Sequence, residues 1–171
     1  MEAARRDSLA REQARRDSIE RARREAEERI RRMREDSLAA VRRTTEEVRG
    51  MLATMIHFDF DKSDIRPGDA QILDQKLAIL QANPNVRIEI VGHADERGSD
   101  EYNLALGNRR ALAAKQYLVS RGIAPDRIST RSMGEEQPID PGHNEEAWAK
   151  NRRDEFSITA GGDVLMKPPG M

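Results

Sequence analysis

The residues best suited to chemistry lie between Gly92 and Ala111, in the stretch GHADERGSDEYNLALGNRRA. Asp95 stands in a charged loop between two glycines, and two adjacent arginines follow in a helical pattern at 109 and 110. A carboxylate and an immobilised guanidinium a ligand's width apart suit a zwitterion, because the carboxylate binds an ammonium group and the guanidinium binds a carboxylate through two parallel hydrogen bonds. An Asp95–Arg110 ion pair that only ties the loop to the helix accounts for the same residues, so both interpretations stay open.

The helical pattern after residue 99 separates the two arginines. At 100° per residue, one stripe of small and apolar residues is predicted to face a sheet: Leu104, Gly107, Ala111, Ala114 and Leu118. Asn103, Leu106 and Arg110 form the neighbouring stripe, whereas Arg109 points to solvent. We therefore expect the guanidinium of Arg110 to be held beside the core, and that of Arg109 to act as a solubilising charge.

Strand and helix patterns alternate from residue 55 onward, and they must position these side chains. The strand patterns cover 55–60, 86–92, 127–134 and 153–158, and the helical patterns cover 67–82, 99–120 and 144–151. This order predicts an α/β (α+β) two-layer sandwich of βαβαβαβ type, in which helices pack on one sheet. If the first two strands are neighbours, Asp61, Asp95 and Arg110 converge on one shallow site at the edge of that sheet.

The first fifty residues contain no proline and are rich in Ala, Arg and Glu, so they predict a helix of about 75 Å. Apolar residues recur every eleven positions along one side of it: Ile19, Ile30, Val41 and Leu52. The pattern fits a solitary helix held by Glu and Arg four residues apart, and it also fits self-association through residues 19–55. The predicted organisation is a charged helical spacer or coiled coil at 1–53, the α/β domain at 54–159 and a disordered tail at 160–171.

Composition and motifs argue against several classes of function. The net charge is −1 at pH 7 and there is no cysteine, so the chain lacks both the basic excess of a nucleic-acid-binding protein and a thiolate metal site. In the acidic stretch DFDKSD at 59–64, the sixth position of a calcium loop is Asp64 instead of glycine, and the twelfth position is Ala70 instead of glutamate. No nucleophile elbow and no second member of an acid–base pair accompany His93. We therefore expect no catalytic residues, no metal site, no cofactor and no nucleic-acid partner.

The stretch from Gly92 to Ala111, together with GEEQP at 134–138, GH at 142–143 and AWAKNRRDEF at 147–156, resembles the OmpA-like peptidoglycan-binding domain family. Within that family it is most similar to the branch of peptidoglycan-associated lipoproteins. The resemblance implies a non-catalytic module that binds the meso-diaminopimelate residue of the peptidoglycan stem peptide. The family's ligand-binding Asp and Arg correspond to Asp95 and Arg110. Its other site positions correspond to Phe60, Asp61, Asn103 and Leu106.

The same resemblance implies a place in the cell. It implies a periplasmic protein that tethers the outer membrane or an envelope complex to the cell wall, with periplasmic Tol proteins as partners. Members of this lipoprotein branch carry a lipidated N-terminal cysteine, whereas this chain has no cysteine and a long Arg/Glu helix. We expect any lipid anchor to lie outside the present sequence. The alternative is a helical oligomerisation protein whose OmpA-like domain binds no ligand and serves as a cap.

Overall fold

Secondary structure follows the predicted alternation of strands and helices. The computed structural model describes residues 2–171. Its strands are β1 (Ile56–His57), β2 (Arg87–His93), β3 (Ile128–Gly134) and β4 (Arg153–Ala160). Its helices are α1 (Glu2–Ala53), α2 (Pro67–Ala82), α3 (Asp100–Val119) and α4 (Glu145–Asn151), with a 3₁₀ turn at Pro125–Arg127. The predicted two-layer α/β fold preceded by a long helix is confirmed.

The strands form one sheet in the order β1-β4-β2-β3. β4 is antiparallel to both neighbours, whereas β2 and β3 are parallel. The condition under which the sequence predicts convergence of Asp61, Asp95 and Arg110, that the first two strands are neighbours, is not met. β4 lies between them, with Asp154 opposite Ile56 on one side and Gly92 on the other. A strand that returns antiparallel needs no crossover connection, so the last strand is free to enter between the first two.

β1 is shorter than its sequence pattern predicts because the chain turns away from the sheet after Phe58. Only Ile56 and His57 pair as a strand with β4, and Phe58 N adds one hydrogen bond of 3.0 Å to Arg152 O. Asp61 has a φ of 57°, in the left-handed region that a short polar side chain tolerates. The turn brings the loop after β1 beside α3.

The three shorter helices begin within one residue of the predicted starts. Pro67 is the first residue of α2, where its missing N–H costs nothing. Ser99 caps α3 by accepting a hydrogen bond from Tyr102 N, and Asn144 caps α4 by accepting one from Ala147 N. Local capping therefore explains where each of these helices starts.

α3 lies directly against β2 because both surfaces carry glycine where they meet. A Cβ on Gly92 would lie 1.7 Å from the carbonyl oxygen of Gly107. A Cβ on Gly107 would lie 2.3 Å from Ser132 Oγ in β3. Neither glycine can be replaced without moving the helix away from the sheet.

The buried face of α3 is rotated from the predicted one. Gly107, Ala111, Ala114 and Leu118 are buried as expected, but Leu104 is 50% exposed. Its place is taken by the neighbouring stripe, because the loop after β1 covers that side of the helix. The residues of this stripe are buried: Asn103, Leu106 and Arg110.

The C-terminal turns of α1 belong to the globular part of the chain. Residues divide by contact into one unit that ends at Arg42 and another, here called the globular unit, that comprises Arg43–Met171. Thr45, Val48 and Leu52 are buried in the globular unit. The predicted boundary between residues 53 and 54 is therefore too late, because the apolar side of the last helical turns completes the core.

The tail predicted to be disordered at 160–171 is a packed part of the globular unit instead. Leu165 is buried, and its N–H donates to Thr45 Oγ1 at 3.2 Å. Asn83 exchanges two hydrogen bonds with the backbone of Met166, at 2.7 and 2.9 Å. Gly and Pro residues flank Leu165, but the burial of this side chain and its contact with Thr45 hold the segment in place.

Residues 2–42 form a helix whose side chains are almost all exposed. Pairs four residues apart stabilise it, among them Glu12–Arg16, Arg23–Glu27 and Glu28–Arg32. Ile19 and Ile30, two members of the eleven-residue stripe, are 60% and 52% exposed. In the part of the chain that the structure describes, α1 and the other helices are all too polar or too short to cross a lipid bilayer.

Lys76 of α2 holds the C-terminal end of α1. Its Nζ is fully buried and donates to the carbonyl oxygens of Leu52 at 2.6 Å and Met51 at 3.3 Å. The same atom lies 4.2 Å from the centre of the Phe156 ring. Burial lowers the pKa of Lys76 to about 7. The lysine therefore caps carbonyl groups at the C-terminal end of the helix, at the expense of a buried charge.

We expect the globular unit to stay folded without residues 1–42 but to lose stability without residues 1–50. The longer deletion removes Val48 from the core, and loss of one buried valine costs about 1.5–3 kcal/mol. Urea unfolding of the fragments 43–171 and 51–171 measures the difference. Equal stability of the two fragments would show that the last turns of α1 contribute nothing to the core.

We expect the free energy of unfolding of the wild type to rise relative to that of Lys76→Met as pH rises from about 7 towards the ordinary lysine pKa of 10.5. In this range the unfolded chain binds more protons at Lys76 than the folded chain does, so the free energy of unfolding of the wild type rises with pH. Each unit of difference in pKa corresponds to about 1.4 kcal/mol. Urea unfolding at several pH values checks this, with the partly exposed Lys115→Met as control; parallel pH profiles for wild type and Lys76→Met would contradict it.

Candidate functional site

A cavity of about 210 Å³ lies where β2 ends, α3 begins and the loop after β1 folds back. Its lining residues are Phe60, Asp61, Asp95, Arg97, Gly98, Tyr102, Asn103 and Leu106. Five of the sequence-predicted site residues are among them, and Arg110 is not. The loop after β1 reaches the cavity although β1 and β2 are not neighbours in the sheet.

Asp95 supplies a carboxylate at the inner end of the cavity and is only 4% exposed. Its oxygens accept hydrogen bonds from Arg97 Nε at 3.2 Å, Arg97 Nη2 at 2.8 Å and Arg97 N at 3.0 Å. Arg152 Nη1 lies 3.5 Å from the same carboxylate. Burial opposes ionisation, but the bonds from Arg97 outweigh it and hold the pKa of Asp95 below its usual value. Asp95 is therefore an ionised, well-paired acid.

Arg97 is clamped between two aromatic rings. Its guanidinium carbon lies 3.8 Å from the centre of the Phe60 ring and 4.2 Å from that of Trp148. Trp148 is itself fixed, because its Nε1 donates to Glu96 Oε1 at 2.9 Å. Stacking on two rings restricts the guanidinium to a plane, so its N–H groups point out only at the edges of the stack.

Arg110 lies beneath the cavity rather than in its wall. Its side chain is fully buried, and it donates to the carbonyl oxygens of Lys62 at 2.8 Å, His93 at 2.8 Å and Asp59 at 3.1 Å. Burial lowers the pKa of Arg110 to about 10, while the nearby carboxyl of Asp154 opposes this shift. The guanidinium remains charged at neutral pH and joins the end of β2 to the loop after β1.

Asp61 and Tyr102 form the outer wall of the cavity. The Tyr102 hydroxyl donates to the carboxylate of Asp61, and this bond raises the pKa of Tyr102. Arg109 lies outside this wall, with its guanidinium carbon 5.6 Å from the centre of the Tyr102 ring. The two adjacent arginines therefore differ as the helical pattern predicts, one in the core and one exposed.

Two buried polar side chains below the site have no hydrogen-bond partner in the described residues. Both carboxyl oxygens of Asp154 lack one, and burial raises the pKa of Asp154 well above its usual value, against the opposing charge of Arg110. Both ring nitrogens of His93 also lack one, although Nε2 lies 3.6 Å from a carboxylate oxygen of Glu155. Burial lowers the pKa of His93 to about 4, against the opposing charge of Glu155. His93 is therefore a neutral core residue at the end of β2.

Sequence analysis missed the four side chains that complete the surroundings of Asp95: Arg97, Tyr102, Trp148 and Arg152. Arg97 follows Asp95 by two residues, and that spacing is compatible with a turn in which the acid accepts a hydrogen bond from the backbone, as Asp95 does. Tyr102 lies in the first turn of α3, whereas Trp148 lies in α4 and Arg152 caps its C-terminal end. The residue types of the loop give no sign that these three side chains belong to the site. Across residues 2–171, no three acidic or imidazole side chains are grouped so that they could hold a metal ion.

Comparison with known proteins places this geometry in a family. The sequence profile described as the OmpA family matches residues 57–152. The chain is 43% identical to a peptidoglycan-associated lipoprotein of Pseudomonas putida over 112 residues, which cover 66% of this chain and 67% of that protein. It is 48% identical to one of Haemophilus influenzae over 98 residues, which cover 57% and 64%. The chain thus matches about two thirds of the length of these relatives.

Solved structures give the same result. The crystal structure of the peptidoglycan-associated lipoprotein from Burkholderia pseudomallei superposes with a TM-score of 0.61 at 38% identity, covering 63% of this chain and 92% of that one. The C-terminal domain of Helicobacter pylori MotB superposes with a TM-score of 0.58 at 24% identity, covering 62% and 84%, and shares the fold alone.

We expect Arg110→Lys to destabilise the fold and Arg109→Lys to leave it unchanged. A lysine at 110 cannot donate to three divergent carbonyl groups, and each buried acceptor left without a partner costs about 1–3 kcal/mol. Exposed substitutions such as that at 109 stay within about 0.5 kcal/mol. Urea unfolding of both variants measures the difference. Equal stabilities would show that the carbonyl contacts of Arg110 are dispensable.

Proposed function

The chain belongs to the OmpA family, and from this we propose that its globular unit binds peptidoglycan without catalysis, through the meso-diaminopimelate residue of the stem peptide. Binding of this kind tethers the outer membrane or an envelope complex to the cell wall in the periplasm. The observation that carries the proposal is the ionised carboxylate of Asp95 at the inner end of a cavity, with a guanidinium beside it. Relatives named for their association with peptidoglycan support it.

Diaminopimelate fits the chemistry of this cavity. Its side chain ends in a carbon that carries both an ammonium group and a carboxylate, joined to the peptide by an aliphatic chain. Asp95 offers the acceptor for the ammonium group, and Phe60 and Leu106 offer apolar surface for the chain. Asp61 and Asn103 supply further polar groups in the wall. Arg110 adds positive charge below the site and holds the loop that carries Phe60.

The role of α1 in this proposal is that of a spacer. Its side chains up to residue 42 are almost all exposed, and some of its arginines pair with glutamates of the same helix, among them Arg16 with Glu12 and Arg32 with Glu28. The exposed apolar group of Ile30, Met33 and Leu38 favours the second candidate, a helical oligomerisation protein with a ligand-free OmpA-like cap. Partnership with periplasmic Tol proteins and attachment to the outer membrane through an N-terminal lipid are proposals that rest on the family resemblance alone.

We expect the full chain to bind the tripeptide L-Ala-γ-D-Glu-meso-diaminopimelate at least about tenfold more tightly than its lysine counterpart, because a site built around a polar group rejects analogues that lack it. Asp95→Asn should weaken binding of the diaminopimelate peptide, whereas Glu101→Gln, an exposed change on α3 outside the cavity, should not. Isothermal titration calorimetry measures all of these affinities.

Two results would overturn the proposed function. Equal affinity for the two tripeptides would show that the site does not recognise diaminopimelate. Absence of binding to either peptide, in a chain that circular dichroism shows to be folded, would favour the oligomerisation protein with a ligand-free cap.

A further inference from the structure

We propose that one side of α1, here called the basic face, binds the surface of a membrane that contains anionic lipids. The basic face comprises those residues of 2–42 that lie within about 60° of Ile19 around the helix axis, at 100° per residue. This inference does not depend on what the globular unit binds, and it gives α1 a partner in addition to the role of a spacer.

An exposed apolar stripe runs along the middle of the basic face. Ile19, Ile30, Met33 and Val41 form this stripe, and each of these side chains is between 43% and 68% exposed. Exposed apolar side chains in a row along a helix are typical of a surface that binds a partner. The stripe is narrow, so apolar contact provides only part of the binding energy.

Arginines, rather than acids, border the stripe. The basic face contains one acid, Glu12, and five arginines: Arg5, Arg15, Arg16, Arg23 and Arg34. Its net charge is therefore +4. The remaining surface of residues 2–42 contains eight arginines and nine acids, a net charge of −1. The positive charge of this part of the chain is thus concentrated beside its apolar stripe.

Three arginines of the basic face have no acidic partner among the described residues. No carboxylate in residues 2–171 lies within 4.0 Å of the guanidinium groups of Arg5, Arg15 and Arg34. Arg16 and Arg23 each pair with a glutamate of the same helix, yet both arginine side chains stay largely exposed. Exposed guanidinium groups are available to phosphate groups, which they bind through parallel hydrogen bonds.

A membrane with anionic lipids matches both parts of the basic face. The phosphate groups of the lipids accept hydrogen bonds from the guanidinium groups, and the boundary with the acyl chains takes up the apolar stripe. The aliphatic stems of the arginines extend over apolar surface while their charged ends stay in the headgroup layer. The axis of α1 is then parallel to the membrane surface.

A second helix, from another copy of this chain or from a different protein, fits the basic face less well. Two copies packed through it would bring together charges of +4 and +4, and like charges across an interface oppose association. The apolar stripe also ends at Ile19, because Ser8 and Glu12 occupy the corresponding positions before it. A helix–helix seam requires apolar residues along its length. A charged surface requires only the arginines, and these continue to Arg5.

Co-sedimentation of the full chain with lipid vesicles tests the inference. We expect the chain to bind vesicles of phosphatidylcholine that contain about a quarter of phosphatidylglycerol, and to bind vesicles of phosphatidylcholine alone much more weakly, because the basic face attracts anionic headgroups. Added salt should weaken the binding, since it screens this attraction.

Two triple variants separate the basic face from the overall charge of the chain. Arg5→Gln, Arg15→Gln and Arg34→Gln together should weaken binding to the anionic vesicles at least about tenfold. The control is Arg6→Gln, Arg21→Gln and Arg42→Gln, which removes the same charge from arginines that also lack an acidic partner within residues 2–171 but lie at least about 140° from Ile19. Its effect should be much smaller. Glutamine and arginine have similar helix propensities, so circular dichroism should show the same helix content in both variants.

A pair of single variants tests the apolar stripe. Ile30→Gln should weaken binding to the anionic vesicles about threefold or more, because its side chain enters the membrane surface. Leu38→Gln is the control, because Leu38 is similarly exposed but lies about 100° from Ile19, outside the basic face.

Three results would overturn the inference. Equal losses from the two triple variants would show that overall charge, and not the basic face, attracts the chain to the vesicles. Equal binding to both kinds of vesicle, or binding to neither, would show that anionic lipids are not the partner. Failure to bind vesicles by a chain that sediments as a dimer, and that Ile30→Gln makes monomeric, would identify a second copy as the occupant. All three leave the proposed function of the globular unit intact, because the tripeptide titrations test it separately.

Discussion

A buried guanidinium organises the site. Arg110 can be buried only because backbone carbonyl groups surround it, and these come from two separate segments, the end of β2 and the loop after β1. The loop must turn its carbonyl groups inward to satisfy the charge, and Asp61 adopts a left-handed conformation within that turn. Close packing of α3 on β2, which the paired glycines Gly92 and Gly107 allow, brings Arg110 within reach of His93 O. The walls of the cavity are consequences of these contacts.

The burial of Arg110 explains why one prediction from the sequence agrees with the structure for a different physical reason. Asp61 and Asp95 reach the same cavity, yet not through adjacent strands, since β4 separates β1 from β2. Helix starts at Pro67, Ser99 and Asn144 could be read from the sequence because capping is local. Strand order, the side of α3 occupied by Leu104 and the docking of the tail could not, because each depends on which distant surface covers a residue.

Only some of the side chains that form the site could be predicted from the sequence. Charged residues spaced along a helix can be sorted by angle, and this separated Arg110 from Arg109. The angle of a residue around the helix axis does not predict whether a buried guanidinium contacts a ligand or backbone carbonyl groups of its own chain. Likewise, the partnership of Arg97 with Phe60 and Trp148 joins residues from three parts of the chain. The resulting site is close to electrically balanced, with acids and guanidinium groups side by side, and this suits ligands that carry both charges.

The contact between Thr45 and Leu165 joins residues that are 120 positions apart, near the two ends of the globular unit. Contacts of such wide sequence separation form late and slow folding, because the intervening chain must first be ordered. The last turns of α1 and the segment around Leu165 are therefore each other's packing partners. Removal of either one exposes apolar side chains of the other, so both must be present for the core to close.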